Sequence, residues 1–324
     1  MQAILAVTIP FFALVLCGFL AARQRVLPES AIPGLNGYVL YFALPCLLFR
    51  FGANTPVLEL LNPVVLAVYL VSALLIVFFT VALTLSDRVG LKDAAFGALV
   101  AAFPNTGFMG VPLLVALMGP AAAGPAICSI LADLFVTSSL CIALAQAASA
   151  EGGGQGARAA LGRALRGALS NPLPWSIALG AAFSVAGVSM PGPFGTIVGM
   201  LADSATPVAL FTIGAVLWRS GQHAAHRTPV ADYLPVALIK LFVHPLLVFM
   251  LAAGARSRGA PLSVFHLTVL TLVAALPSAS NVSLLAERYG ADNGRVARII
   301  MSGTVLAFIS FSALAWAFGV RPAQ

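Results

Sequence analysis

Charge is what this sequence has least of: Asp, Glu, Lys and Arg together make up 8% of 324 residues, while 60% are hydrophobic. Soluble domains carry roughly 25% charged residues, so a water-soluble globule is excluded and an integral membrane protein is expected. The net charge of +7 is scattered in pairs and triplets between apolar runs, without a basic patch interleaved with aromatics, which excludes nucleic acid as a partner. Cysteine is scarce. Cys17, Cys46, Cys128 and Cys141 all fall inside apolar runs with neither CxxC nor zinc-type spacing, and read as small core residues. Of the histidines only His223 and His226 stand close together, in a polar connection, and no HExxH or P-loop occurs. Metal, cofactor and direct ATP chemistry are therefore not expected, and neither is an enzyme. The first apolar run lacks a basic leader and is long enough to span, so it does not read as a secretory signal.

What the sequence does have is apolar runs of about 20 residues, the length that crosses a bilayer. Ten are counted: Ile4–Ala22, Ile32–Phe51, Pro63–Leu85, Ala94–Met118, Ala121–Ala147, Pro172–Met190, Phe194–Trp218, Tyr233–Ala253, Leu262–Ala286 and Val296–Phe318. The longest connection holds Gly152-Gly153-Gly154 and then Arg158, Arg163 and Arg166, a flexible linker followed by a surface helix. Twelve basic residues, from Arg23 and Arg25 through Arg88, Lys92, Arg219 and Arg227 to Arg288, Arg295 and Arg298, fall on the side of the first connection. Four (Arg50, Arg256, Arg258, Arg321) fall on the other. The bias puts the first side in the cytoplasm and both termini outside it, in a multi-pass protein of the cell (inner) membrane.

Two of the runs are interrupted in the middle. Phe103-Pro104-Asn105-Thr106-Gly107 breaks the fourth, and Leu276-Pro277-Ser278-Ala279-Ser280-Asn281 breaks the ninth. Proline removes a backbone donor and disfavours helix before it. Backbone freed at membrane depth is tolerated only where protein or a watery cavity surrounds it. Breaks at matching places in two halves point to a transporter's binding site. A half-helix starting near Thr106 offers free N–H groups and a partial positive charge to a carboxylate. Gly107 allows close approach, and Asn105 adds an amide that can donate or accept. Pro277, Ser278, Ser280 and Asn281 supply the same parts from the other half. The plainer alternative is a pair of proline kinks whose asparagines satisfy neighbouring helices.

The halves also resemble each other in order. Pro45-Cys46-Leu47-Leu48-Phe49 is echoed by Pro207-Val208-Ala209-Leu210-Phe211, and Leu113 to Gly119 by Leu284 to Gly290. A unit of five spans copied once must enter the membrane upside down, so an all-α fold of ten spans as a 5+5 inverted repeat is expected.

At Phe103 to Pro112, at Leu276 to Gly290 and at Lys240-Leu241-Phe242-Val243-His244-Pro245 the chain resembles the auxin efflux carrier family, in particular its compact bacterial members. Phe103 stands where the plant pattern has its first asparagine, and the long cytoplasmic loop of plant members has no counterpart. The resemblance implies crossed, discontinuous fourth and ninth helices. It implies a scaffold of residues 1–62 and 172–231, a moving transport domain of residues 63–150 and 232–324, and a cytoplasmic linker at 151–171. It also implies a small organic anion, such as malonate or malate, as substrate, elevator-type alternating access, and a homodimer built on the scaffold.

Four ionisable residues inside the runs are candidates for coupling or charge relay: Asp133, Asp203, Lys240 and His244. Lys240 could neutralise the anion, pair with Asp133, or snorkel to the headgroups. His244 could carry a proton or be a core histidine bonded to a carbonyl. Asp203 could serve a structural hydrogen bond. His266 reads as interfacial, and Glu287 with Arg288 as a solvated pair. The coupling ion, proton or sodium, stays open. The alternatives for the whole chain are a receptor that binds an anion without moving it and a sodium-coupled carrier of the bile-acid symporter type.

Overall fold

The structure is a computed structural model that describes residues 1–147, 162, 166–167, 169–222 and 228–322. The glycine tract at 152–154, Arg158, Arg163, Arg227 and the pair His223 and His226 lie outside the described residues.

Among the described residues every regular element is helical, and the one extended contact is an isolated antiparallel bridge between Pro104 and Ser278. The first half runs α1 (Gln2–Arg23), α2 (Glu29–Asn54), α3 (Pro63–Thr84), α4 (Leu91–Ala102), α5 (Thr106–Met118) and α6 (Pro120–Ala147). The second runs α7 (Pro172–Ala186), α8 (Gly192–Gln222), α9 (Val230–Ser257), α10 (Val264–Ala275), α11 (Asn281–Tyr289) and α12 (Asn293–Ala317). Seven helices are long and apolar enough to cross a membrane: α1, α2, α3 with its preceding turn, α6, α8, α9 and α12. The remaining three apolar runs differ in form. The fourth and ninth are each two helices with a gap, and the sixth is the 15-residue α7.

Local chemistry sets several of these boundaries. Asn62, Asn171, Ser263 and Asp292 each accept a hydrogen bond from a first-turn backbone N–H, the ordinary N-cap. Gly187 and Gly290 close α7 and α11 in the left-handed region, at φ 63° and 67°. Inside α2 and α9 and at the start of the short α5, π turns at Val39–Ala43, Ile239–Val243 and Thr106–Gly110 each end two residues before a proline (Pro45, Pro245, Pro112). A proline has no N–H to offer, so the preceding ladder widens to reach the next donor. A fourth π turn, Asp133–Thr137, has no proline behind it.

Two sets of neighbours emerge. α1 lies on α8, and the second half of α2 packs on α7 and α8. These contacts are backbone-close: a Cβ on Gly18 would overlap the Phe211 carbonyl, and one on Gly214 the Val15 carbonyl. Small residues at helix crossings permit such approach in membranes. The other set is α3, α4 and α6 with α9, α10 and α12. At one end Arg295 gathers it: Nε donates to the Asp232 carbonyl and Nη1 to the Asp93 carbonyl, each at 2.8 Å. The starts of α4, α9 and α12 are thereby tied together. Arg295 is 2% exposed, so this residue, counted above among loop cations, is an internal fastener.

Candidate functional site

The two interruptions meet. Where α4 stops, the Phe103–Asn105 connector runs antiparallel to the connector that follows α10. Asn105 N donates to the Pro277 carbonyl at 2.8 Å, and Ala279 N donates to the Phe103 carbonyl at 3.0 Å. The freed backbone groups of each break thus serve the other, which is how bare strand survives in an apolar interior. Four helix ends converge here, the last turns of α4 and α10 and the first turns of α5 and α11. The first turns carry N–H groups without intrahelical partners. A Cβ on Gly110 would overlap Leu276, so that glycine admits the neighbouring connector.

Side chains at the meeting point are polar, enclosed and unpaired. Asn105, Thr106, Ser278 and Ser280 are between 2% and 6% exposed. Asn105 Oδ1, Thr106 Oγ1, Ser278 Oγ and Asn281 Oδ1 are buried without a hydrogen-bond partner. Each such group costs roughly 1–3 kcal/mol, and buried polar groups are otherwise nearly always satisfied. Two hydroxyls and two amide oxygens in one place form a cradle suited to water or to a ligand that both accepts and donates. Pro104 and Pro277 are buried, and Gly107 is half-buried with room for a Cβ. All eight crossover residues expected from the sequence therefore gather at one point.

A cavity of about 400 Å³ leads toward it from the end of the molecule that carries Arg219 and Glu287, with Asn36, Ser283 and Asn293 also in its wall. A narrow crevice shares Asn36 and Val216 with that cavity and continues past Phe108 and Thr212 to Ser280.

Behind the connectors lies a second polar cluster, wholly buried. Asp133 accepts from Tyr69 Oη at 2.7 Å and from Thr137 Oγ1 at 3.0 Å. Lys240 Nζ donates to the Ala274 carbonyl at 2.6 Å and lies 3.3 Å from His244 Nδ1. The Tyr69 and His244 rings are 6.2 Å apart. Lys240 does not snorkel: it is 0% exposed, and no carboxylate lies within 4.0 Å of it among the described residues. Asp203 stands elsewhere, on the surface, in an ion pair with Arg50 at 2.6 Å. His266 is a partly exposed residue whose Nδ1 meets Ser263 Oγ at 2.7 Å, and Glu287 and Arg288 are exposed.

Sequence reasoning overlooked Tyr69, Thr137 and Arg295. Thr137 follows Asp133 by one helical turn, a visible signal. Tyr69 offered only a hydroxyl within an apolar run. Asp93, Asp232 and Asp292 at three helix starts were the hint for Arg295.

Helices of membrane length around a broken, polar, buried crossing define a polytopic membrane transport protein. The chain belongs to the family described as membrane transport protein, the auxin efflux carrier family, which matches residues 3–315. It is 30% identical to the "Putative malonate transporter" of Rhizobium meliloti (strain 1021), across 100% of this chain and 99% of that protein. It is 24% identical to the "Uncharacterized transporter YfdV" of Escherichia coli (strain K12), covering 93% of each. It is 28% identical to auxin efflux carrier component 8 of Arabidopsis thaliana over 144 residues, covering 42% of this chain and 38% of the plant protein.

Proposed function

We propose that this chain is a secondary carrier of small carboxylates of the malonate class, with the crossing of the two connectors as its binding site. The observation that carries the reading is the set of four buried, unpartnered polar atoms on Asn105, Thr106, Ser278 and Asn281. A carboxylate brings acceptors for the first-turn N–H groups and for the Thr106 and Ser278 hydroxyls, while the Asn105 and Asn281 amide oxygens take a donor from water or a protonated acid. The full-length likeness to a protein named for malonate supports the substrate class.

The matching order of helices in the two halves, each with a split element in the same place, supports the ten-span inverted repeat with crossed fourth and ninth spans. The two sets of neighbours support a scaffold of residues 1–62 and 172–231 and a transport domain of residues 63–150 and 232–324. In this mechanism the crossing travels with the transport domain, elevator fashion, and the cavity beside Arg219 is the cytoplasmic mouth of the site. Both termini then lie on the non-cytoplasmic side of the inner membrane, and the scaffold provides the surface for a homodimer.

The test is counterflow of labelled malonate into proteoliposomes, alongside labelled acetate. Malonate exchange that the Asn105→Ala, Asn281→Ala double variant abolishes supports the reading. Undiminished exchange in that variant removes the crossing as the site, and binding without counterflow makes the protein a receptor.

A further inference from the structure

Breaking a helix at a proline strands carbonyls as well as N–H groups. The carbonyl three residues before each proline is deeply enclosed here: Ala101 before Pro104 and Ala274 before Pro277 are both 0% exposed. Each sits in a last helical turn, where the aligned peptides leave about half a negative charge. Hard cations take oxygen ligands of this kind, and cations of any sort are favoured at that end of a helix.

α9 meets both stranded ends with two side chains one turn apart. The Lys240 ammonium donates to the Ala274 carbonyl at 2.6 Å, as short as charge-assisted bonds become. His244 faces the Ala101 carbonyl without closing a hydrogen bond of ordinary geometry. Its Nδ1 lies 3.3 Å from Lys240 Nζ, so a protonated lysine donates there and the ring hydrogen belongs on Nε2. Asp133 is already engaged by Tyr69 and Thr137. The lysine head is therefore turned toward a broken helix end; it closes no ion pair with Asp133, although that carboxyl lies near enough to act on it electrostatically.

We propose that Lys240 is a built-in cation. Its ammonium occupies, at the carbonyl end of α10, the position a free sodium ion would take, so the carrier runs without sodium, and removing the lysine opens a vacancy for a small monovalent cation. The inference rests on reading the crossing as a carrier's site, and it selects among the coupling ions that the sequence left open.

Its test needs no anion, so it can fail separately from the malonate reading. The thermal midpoint of the purified full chain is compared in sodium, methylammonium and choline chloride at equal ionic strength. The wild type and Lys240→Arg are expected to give the same midpoint in all three, within about 1 °C. Lys240→Ala is expected to melt lower in choline and to recover by about 3 °C in sodium or methylammonium, because a ligand that binds only the folded form raises its stability. Should the alanine variant not accumulate, Lys240→Ser, which likewise removes the ammonium and leaves the space beside the Ala274 carbonyl open, takes its part. A wild type that responds to sodium over choline overturns the proposal, as does an uncharged variant indifferent to the cation. In proteoliposomes the same logic expects wild-type malonate counterflow to be equal in sodium and choline. Lys240→Ala should lose roughly tenfold in choline, the rate equivalent of one stranded buried carbonyl, and regain activity in sodium.

Discussion

At the seam between α1 and α8, Gly18 rests against the Phe211 carbonyl and Gly214 against the Val15 carbonyl, leaving no room for a methyl group. At the crossing, Asn105, Thr106, Ser278 and Asn281 hold polar atoms that touch no partner. Both regions are buried, but they are built from opposite materials. The seam gives up side chains to bring two backbones together, and its buried hydroxyls at Thr8 and Thr212 both have partners. The crossing gives up regular backbone and retains side chains whose bonding capacity is unused. A region with nothing left to bond can hold a frame rigid, and a region with bonds to spare can hold a solute.

The contrast is broken most forcefully at the seam. Gly214→Ala should cost at least about 3 kcal/mol, since its Cβ meets backbone, which no rotamer change can relieve. Yield and thermal midpoint measure this, with Gly199→Ala on the same helix as control. A Cβ on Gly199 meets nothing within 4 Å, so that variant should be neutral or more stable by about 0.5–1 kcal/mol. Equal loss in both would erase the distinction between a tight seam and an ordinary helix surface. Arg295→Met comes next, at about 2 kcal/mol, because it strands the Asp93 and Asp232 carbonyls. Its midpoint should fall while malonate affinity, measured in the protein that remains, is unchanged. The Asn105→Ala, Asn281→Ala variant sharpens the comparison from the other side. It removes atoms that bond nothing in the unliganded protein, so stability should move by no more than about 1 kcal/mol while counterflow falls roughly tenfold or further. A collapse of stability without a specific loss of transport would make the crossing structural. The smallest effect belongs to Asp203→Asn. The ion pair with Arg50 is solvent-facing, with side chains 38% and 72% exposed, and pairs of that kind contribute about 0–1 kcal/mol. A midpoint and transport rate both near the wild type are expected, and a large loss of transport would return Asp203 to the coupling machinery.

Much of the frame was legible in the sequence because the bilayer imposes long apolar runs, and proline with an asparagine amide stands out against them. Pro104 and Pro277 announced both breaks. Their mutual pairing was not readable, because the Asn105 to Pro277 bond is made by backbone, which every residue shares. The same reason hid the role of Lys240: its partner is a carbonyl of Ala274, whose side chain says nothing. Charge counting assigned Arg295 to a loop because it tallies residues by position along the chain and is blind to burial. The short α7 was drawn too long, through Met190, since Val188 and Met190 are apolar, but Gly187 ends the helix before them in the left-handed conformation.

That early stop gives α7 15 residues, about 22 Å of helix against a hydrocarbon layer of about 30 Å. Trp175, Leu179 and Val185 on it are exposed, and as the sixth span of the proposed ten this apolar face would fall roughly 8 Å short of the layer. A stretch that short is met by a thinner bilayer or by oligomerisation. In the ten-span arrangement proposed above, shorter-chain phospholipids or a second copy seated on this face would make up the missing height.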